Sequence, residues 1–152
     1  MKQVEVNKEA KLSEHFKLGE LTRSKSHPEV YNIPSRQVIE NLKRVCVWLE
    51  ALRERYNEPI MITSWYRSAE LNRKVGGVAT SNHLTGCAVD IRVAGKEQLI
   101  RYACILLDYA DETKQEFDEL LLEHGANGVI WLHFAVRPPT QQNRRKISFL
   151  KA

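Results

Sequence analysis

Between Arg36 and Tyr56, apolar residues recur at Val38, Leu42, Val45, Leu49, Leu52 and Tyr56, always three or four positions apart. That spacing lines one face of an α-helix of about six turns. Ser35 stands where an N-cap belongs, and Asn57-Glu58-Pro59 stops the pattern. A long helix with a single apolar face needs another layer to cover it. A second helical pattern runs from Lys96 to Asp111, with Leu99, Tyr102, Ala103, Leu106 and Leu107 facing inward. Short β-rich runs supply the covering layer at 60–64, 87–93, 117–123 and 129–136, the last two joined through a turn at 124–128 into a hairpin. A short helix from Arg67 to Val75 ends at Gly76-Gly77, and 143–150 reads as a final edge strand. The expected fold class is α+β: a small, mostly antiparallel sheet flanked by two long helices.

The 152 residues fit one domain with its own core, expected over 13–152 behind a flexible segment at 1–12. Phe16, Leu18 and Leu21 are the expected anchors of a short amphipathic element near the start, and 24–34, with Pro28 and Pro34, reads as a loop. No apolar run approaches the ~20 residues of a membrane helix, and the first residues carry no apolar signal core. The three cysteines, Cys46, Cys87 and Cys104, form no Cys-x-x-Cys pair and read as reduced, mostly buried thiols. A net charge of +4 and the basic run Asn143-Arg144-Arg145-Lys146 do not make a nucleic-acid module without a recognition motif; the run reads as a solvated face.

The residues that carry chemistry lie in Ser81-Asn82-His83-Leu84-Thr85-Gly86-Cys87-Ala88-Val89-Asp90. His83 falls in a loop, Asp90 on the following strand, and Gly86 permits the turn that lets both converge on one ion. His133, between Leu132 and Phe134 on the returning hairpin strand, is the candidate third ligand. Two histidines and a carboxylate suit zinc with one open position. Against this, a histidine inside an apolar strand also serves as a core residue bonded to a carbonyl, and Cys87 is either a thiolate ligand or a small neighbour. His27 and His124 read as exposed, and His15 as a packing or capping residue.

The motif Ser81-Asn82-His83…Gly86…Ala88…Asp90 resembles the signature of the zinc D-alanyl-D-alanine carboxypeptidase and murein endopeptidase family, whose zinc constellation also occurs in hedgehog signalling domains. Ile62-Thr63-Ser64-Trp65-Tyr66-Arg67 is similar to the family's strand ending in Ser-x-Tyr-Arg, and Leu71 to Gly77 to the segment after it. Phe117-Asp118-Glu119-Leu120 and Trp131-Leu132-His133 resemble its C-terminal hairpin. His15-Phe16…Glu20-Leu21-Thr22 resembles the opening of small members from phages and mobile elements, which share an Asn-Arg-Arg segment. The resemblance implies one zinc ion on His83, Asp90 and His133, and hydrolysis of a peptide bond involving a D-amino acid in the peptidoglycan stem peptide. It implies a substrate clamp at Arg67, with Ser81 and Trp131 as further substrate contacts; Ser81 alternatively holds the loop of His83. It also implies action on the wall after lysis or particle delivery, with neither membrane insertion nor nucleic acid involved.

The general base is less direct. Many members place an acid three residues before the last histidine, where this chain has Ile130. Others carry a glutamate at the end of the preceding hairpin strand, which Glu123 matches. Pairing Glu123 with Val129 and Glu119 with His133 across the turn puts Glu119, Glu123, Trp131 and His133 on one face. Glu123 is the expected base and Glu119 the alternative. A zinc-bearing domain that binds wall peptide or a protein partner without cutting is the competing reading, which Ile130 favours.

Overall fold

The computed structural model describes residues 10–22, 27 and 32–152. Residues 1–9, the loop residues 24–26 and 28–31 with Pro28, and the side chain of the expected anchor Leu21 lie outside the described ones. Residues 10–12 pack back on the chain: Leu18 N–H donates to the Ala10 carbonyl (2.8 Å), and Ala10 and Leu12 lie against the core. The elements run α1 (Leu18–Thr22), α2 (Arg36–Tyr56), β1 (Ile62–Ser64), α3 (Ala69–Lys74), β2 (Ala88–Arg92), α4 (Lys96–Thr113), β3 (Glu119–His124), β4 (Ile130–Ala135) and β5 (Lys146–Lys151). Helix α2 begins and ends where its sequence signals stand. Ser35 Oγ accepts from Val38 N–H, and Asn57 adopts the left-handed conformation after the last turn.

The five strands form one sheet in the order β1-β2-β4-β3-β5. It is mixed: β1–β2, β2–β4 and β3–β4 pair antiparallel, whereas β5 runs parallel to β3 at the edge. Strand alternation turns Val89, Ile91, Leu120, Leu122, Leu132 and Phe134 toward the helices, where they join Leu42, Val45, Leu49, Leu52, Leu99 and Leu106 in the core. Trp48 of α2 is the keystone of this layer. Its ring meets Phe134 at 5.1 Å and Tyr109 at 5.0 Å, and Tyr56 stacks edge-on against Tyr102 at 4.8 Å to join α2 to α4.

The hairpin register departs from expectation. Glu123 pairs with Trp131 and Glu119 with Ala135, because the loop closes at His124–Ile130 and Gly125 N–H donates to the Val129 carbonyl. The slip is two residues, so side-chain parity survives and Glu119, Glu123, Trp131 and His133 still share a face. Cys46 and Cys87 are buried, but Cys104 is exposed, on the outer side of α4; all three are free.

Gly86 fixes the approach of the motif loop to α2. Its φ of 76° is left-handed, and a Cβ there would stand 2.9 Å from Val38 Cγ1 and 3.0 Å from the Val38 carbonyl. Gly86→Ala therefore combines backbone strain with overpacking against a helix, and is expected to destabilise by about 2–4 kcal/mol. Thermal unfolding would read this as a drop in Tm on the order of 5–15 °C; an unchanged Tm would contradict the close approach.

Candidate metal centre

The face of the sheet turned away from α2 and α4 carries the polar residues. His83 reaches it from a short 3-10 turn, Asn82–Thr85. Ser81 caps that turn, its Oγ accepting from His83 N–H at 3.1 Å, and Asn41 of α2 holds it from behind by donating to the Thr85 carbonyl at 2.9 Å. Asp90 and His133 are register partners on β2 and β4.

His83 Nε2 lies 3.3 Å and His133 Nδ1 3.1 Å from the same oxygen, Asp90 Oδ1. One ligand atom from each residue falls within 4.8 Å of the others. Atoms bound about 2 Å from a tetrahedral zinc ion stand about 3.3 Å apart, so the spacing of Asp90 from each histidine matches what such an ion needs. The tautomer of His83 follows from its other nitrogen. Nδ1 is 2.6 Å from the Trp65 carbonyl, which only accepts, so Nδ1 carries the hydrogen and Nε2 offers its lone pair to the centre. The residue just after β1 thus supports the first candidate ligand.

Electrostatics favour a cation here. Burial pushes the His83 ring down from its ordinary value, despite Asp90. Burial opposes charge on Asp90 too, yet the two histidines hold its carboxyl well below the usual range. For His133, burial works against the charged ring, but hydrogen bonds to Asp90 and Glu119 push it up to about 10. The raised proton affinity of His133 marks a position where a metal ion, if bound, would compete with a proton for the ring nitrogen facing Asp90.

The two glutamates of β3 occupy different sides of His133. Glu119 Oε1 is 3.1 Å from Nε2, and Glu123 Oε1 is 3.7 Å from Nδ1, the nitrogen that faces Asp90. Burial raises the Glu123 pKa, and the negative charges of Asp90 and Glu119 add to this against the opposing pull of His133. Glu119 shifts the other way: burial raises it, but His133 and Asn82 outweigh burial. Arg67 follows β1, its backbone N–H donating to the His83 carbonyl at 2.9 Å. Burial lowers its guanidinium pKa, with Asp90 and Glu123 opposing. The centre opens into a cleft of about 930 Å³, lined among others by Tyr66, Arg67, Val78, Trp131, Lys146 and Lys151.

A sequence model of peptidase M15 matches residues 14–115, more than half of the chain. The chain belongs to the peptidase M15 family. No curated protein matches it. Peptidases M15 depend on zinc, and the donor set fits that ion: two imidazoles and a carboxylate offer ligand atoms within 4.8 Å of one another beside the cleft. The matched span contains His83 and Asp90. His133 lies beyond it, brought in by the β2–β4 register.

The structure thus gathers His83, Asp90, His133, Glu123, Arg67, Ser81 and Trp131 around one cleft. Cys87 is buried outside the metal cluster, and burial raises its thiol pKa. His124 is exposed as expected; His27 is instead half-buried. His15 is tied to α2, its Nδ1 2.7 Å from Glu50 Oε2. The basic run is largely exposed, as expected, but its side chains are also engaged. Arg144 forks onto the fully buried Asp118, Asn143 braces Arg137, and Arg145 pairs with Asp111 and covers the Phe117 ring. Asn82, Asp118, Arg137 and Arg144 form a network beside the site that the sequence reading did not identify. The available signal was Asp118, a carboxylate next to the apolar Phe117, which demands a cationic partner when buried.

Proposed function

We propose that this chain hydrolyses a peptide bond involving a D-amino acid in the peptidoglycan stem peptide, as one domain over residues 13–152. His83, Asp90 and His133 hold one zinc ion, Glu123 is the base, and Arg67, Ser81 and Trp131 contact substrate. The observation that carries this reading is the place of Glu123, on the Asp90 side of the His133 ring and at the cleft. Bound zinc supplies a Lewis acid that polarises the scissile carbonyl and makes a water nucleophilic near neutral pH. Glu123 takes a proton from the attacking water on its carboxylate oxygen and delivers it to the leaving amine nitrogen. Its raised proton affinity suits both halves of that task. Arg67, charged and half-buried, pairs with a substrate carboxylate or steadies the oxyanion that develops on the attacked carbonyl. Ser81 keeps a hydroxyl hydrogen for a substrate carbonyl while its oxygen accepts from His83 N–H. Trp131, opposite Glu123 in register, walls the cleft.

The test is digestion of purified muropeptides by the zinc-loaded chain, with products identified by mass. Release of terminal D-alanine marks a carboxypeptidase, and cleavage within the stem or cross-link an endopeptidase. Intact muropeptides that nonetheless bind would replace the peptidase with a wall-binding domain, and Ile130 would then be the departure that matters.

Gly77 offers a separate check on Arg67. A Cβ at Gly77 would stand 2.1 Å from Asn72 Oδ1 and 2.9 Å from Arg67 Nη1, and Asn72 is too buried to swing clear. Gly77→Ala is expected to displace the guanidinium and lower kcat/KM by about tenfold or more, with zinc content unchanged. Unimpaired kcat/KM would remove Arg67 from the substrate site.

A further inference from the structure

The last ligand is gripped from behind. His133 points Nδ1 at Asp90, and its other nitrogen, Nε2, meets Glu119 Oε1 at 3.1 Å. That same Glu119 oxygen accepts from Asn82 Nδ2 at 2.6 Å. Asn82 is itself held on both ends of its amide. Nδ2 donates to Asp118 Oδ2 at 2.8 Å, and Oδ1 accepts from Arg137 Nε at 3.2 Å. Arg144 approaches the second Glu119 oxygen at 3.5 Å. Asn82 precedes His83 in the chain, so one short segment carries the first candidate ligand and steers the carboxylate behind the third.

We propose that Glu119 is a positioning residue for the metal centre, accepting the Nε2 hydrogen of His133 so that Nδ1 is the free donor, and that Asn82 couples this clamp to the His83 loop. The inference rests on reading His133 as a metal ligand. It assigns the two β3 glutamates different tasks by geometry. Glu119 lies on the Nε2 side of the ring and Glu123 on the Nδ1 side, the side that faces Asp90. A carboxylate hydrogen-bonded to the far nitrogen fixes the tautomer and ring plane of a ligating histidine and strengthens its donor atom. The Asn82 contact and the ion pair with Arg144 hold the Glu119 carboxylate against His133 Nε2.

The experiment measures zinc affinity of the full chain by chelator competition for wild type, Glu119→Ala, Glu119→Gln and Asn82→Ala. It also follows the imidazole nitrogens by NMR in the zinc-loaded protein. Glu119→Ala is expected to weaken zinc binding by about 10–100-fold. Glu119→Gln, whose amide oxygen still accepts, should recover most of that loss, and Asn82→Ala should fall between. The His133 Nε2–H resonance should persist in wild type and Glu119→Gln and exchange away in Glu119→Ala. Zinc affinity within twofold of wild type in Glu119→Ala, or a His133 bound through Nε2, overturns the proposal. So does a zinc-saturated Glu119→Ala that no longer cleaves substrate, which would make Glu119 the base. A zinc affinity indifferent to His133→Ala instead refutes the reading of His133 as a ligand, a different failure from that of the clamp.

Discussion

Replacing Glu123 with Gln is expected to reduce turnover of a stem peptide by about 10²–10⁴-fold while zinc content and fold are retained. The substitution keeps the shape of the side chain and removes its capacity to take a proton. Three features of Glu123 make the effect large. It lies 3.7 Å from His133 Nδ1, on the side of the ring that faces Asp90. It is largely withdrawn from water, with 12% of its side chain exposed, so bulk solvent is a poor substitute for it. Its environment raises its proton affinity, by burial first and then by the neighbouring carboxylates, where most surface glutamates would be too weak a base. The measurement is kcat on a muropeptide with metal content determined on the same samples. A variant that keeps wild-type kcat with full zinc would remove Glu123 from the chemistry. A variant that loses its zinc would show that Glu123 supports the ion, and the turnover comparison would then be made at saturating metal.

The helices and the chemical motif were readable in sequence because each rests on local rules. Helix α2 spans the residues that its three-and-four spacing, Ser35 cap and Asn57-Glu58-Pro59 stop indicate. His83, Gly86 and Asp90 stand within one short segment, so their convergence needs only a turn and a strand. The pairing of Asp90 with His133 joins residues far apart in sequence, and the apolar strand around His133 pointed to it only in combination with the His83–Asp90 motif. The hairpin register differs from the expected one by two residues, since composition does not say where a loop containing two glycines closes; Asn127 and Gly128 both take left-handed conformations within it. Parity left the shared face intact, because a slip of two leaves every side chain on its own face. The direction of β5 and the work of its preceding arginines were hidden for another reason. Arg144 looks like a solvated charge until the chain crosses beside β3 and delivers it to Asp118, a contact set by topology alone. The division of labour between Glu119 and Glu123 likewise depends on which nitrogen of one ring each reaches.

Asp118→Ala is expected to cost about 3 kcal/mol of stability, at the low end of the range for breaking a buried ion pair. Asp118 is fully buried and accepts from Asn82 Nδ2, from Arg144 N–H, Nε and Nη2, and is paired with Arg137 Nε at 3.2 Å. Removing it leaves the Arg144 backbone N–H without its acceptor and two guanidiniums without their counter-charge. Those guanidiniums are 25% and 45% exposed and can turn toward water, which is why the loss stays near 3 and not 5 kcal/mol. For a chain of this size that corresponds to a fall in Tm of about 6–12 °C. The pH dependence has a definite sign. Burial raises the Asp118 pKa, but Arg144, Asn82 and Arg137 outweigh burial, so the folded value lies below the ordinary 3.8. A carboxyl with a depressed folded pKa contributes its full stability above the unfolded value and loses it as pH falls through the folded one. Wild type and Asp118→Ala should therefore differ by the full amount near neutral pH and converge below about pH 4. Because Asn82 and Glu119 belong to the same network, the variant should also weaken zinc binding. A variant with wild-type Tm at neutral pH, or a gap that does not narrow in acid, would show that the buried carboxylate is not what ties the C-terminal segment to the floor of the site.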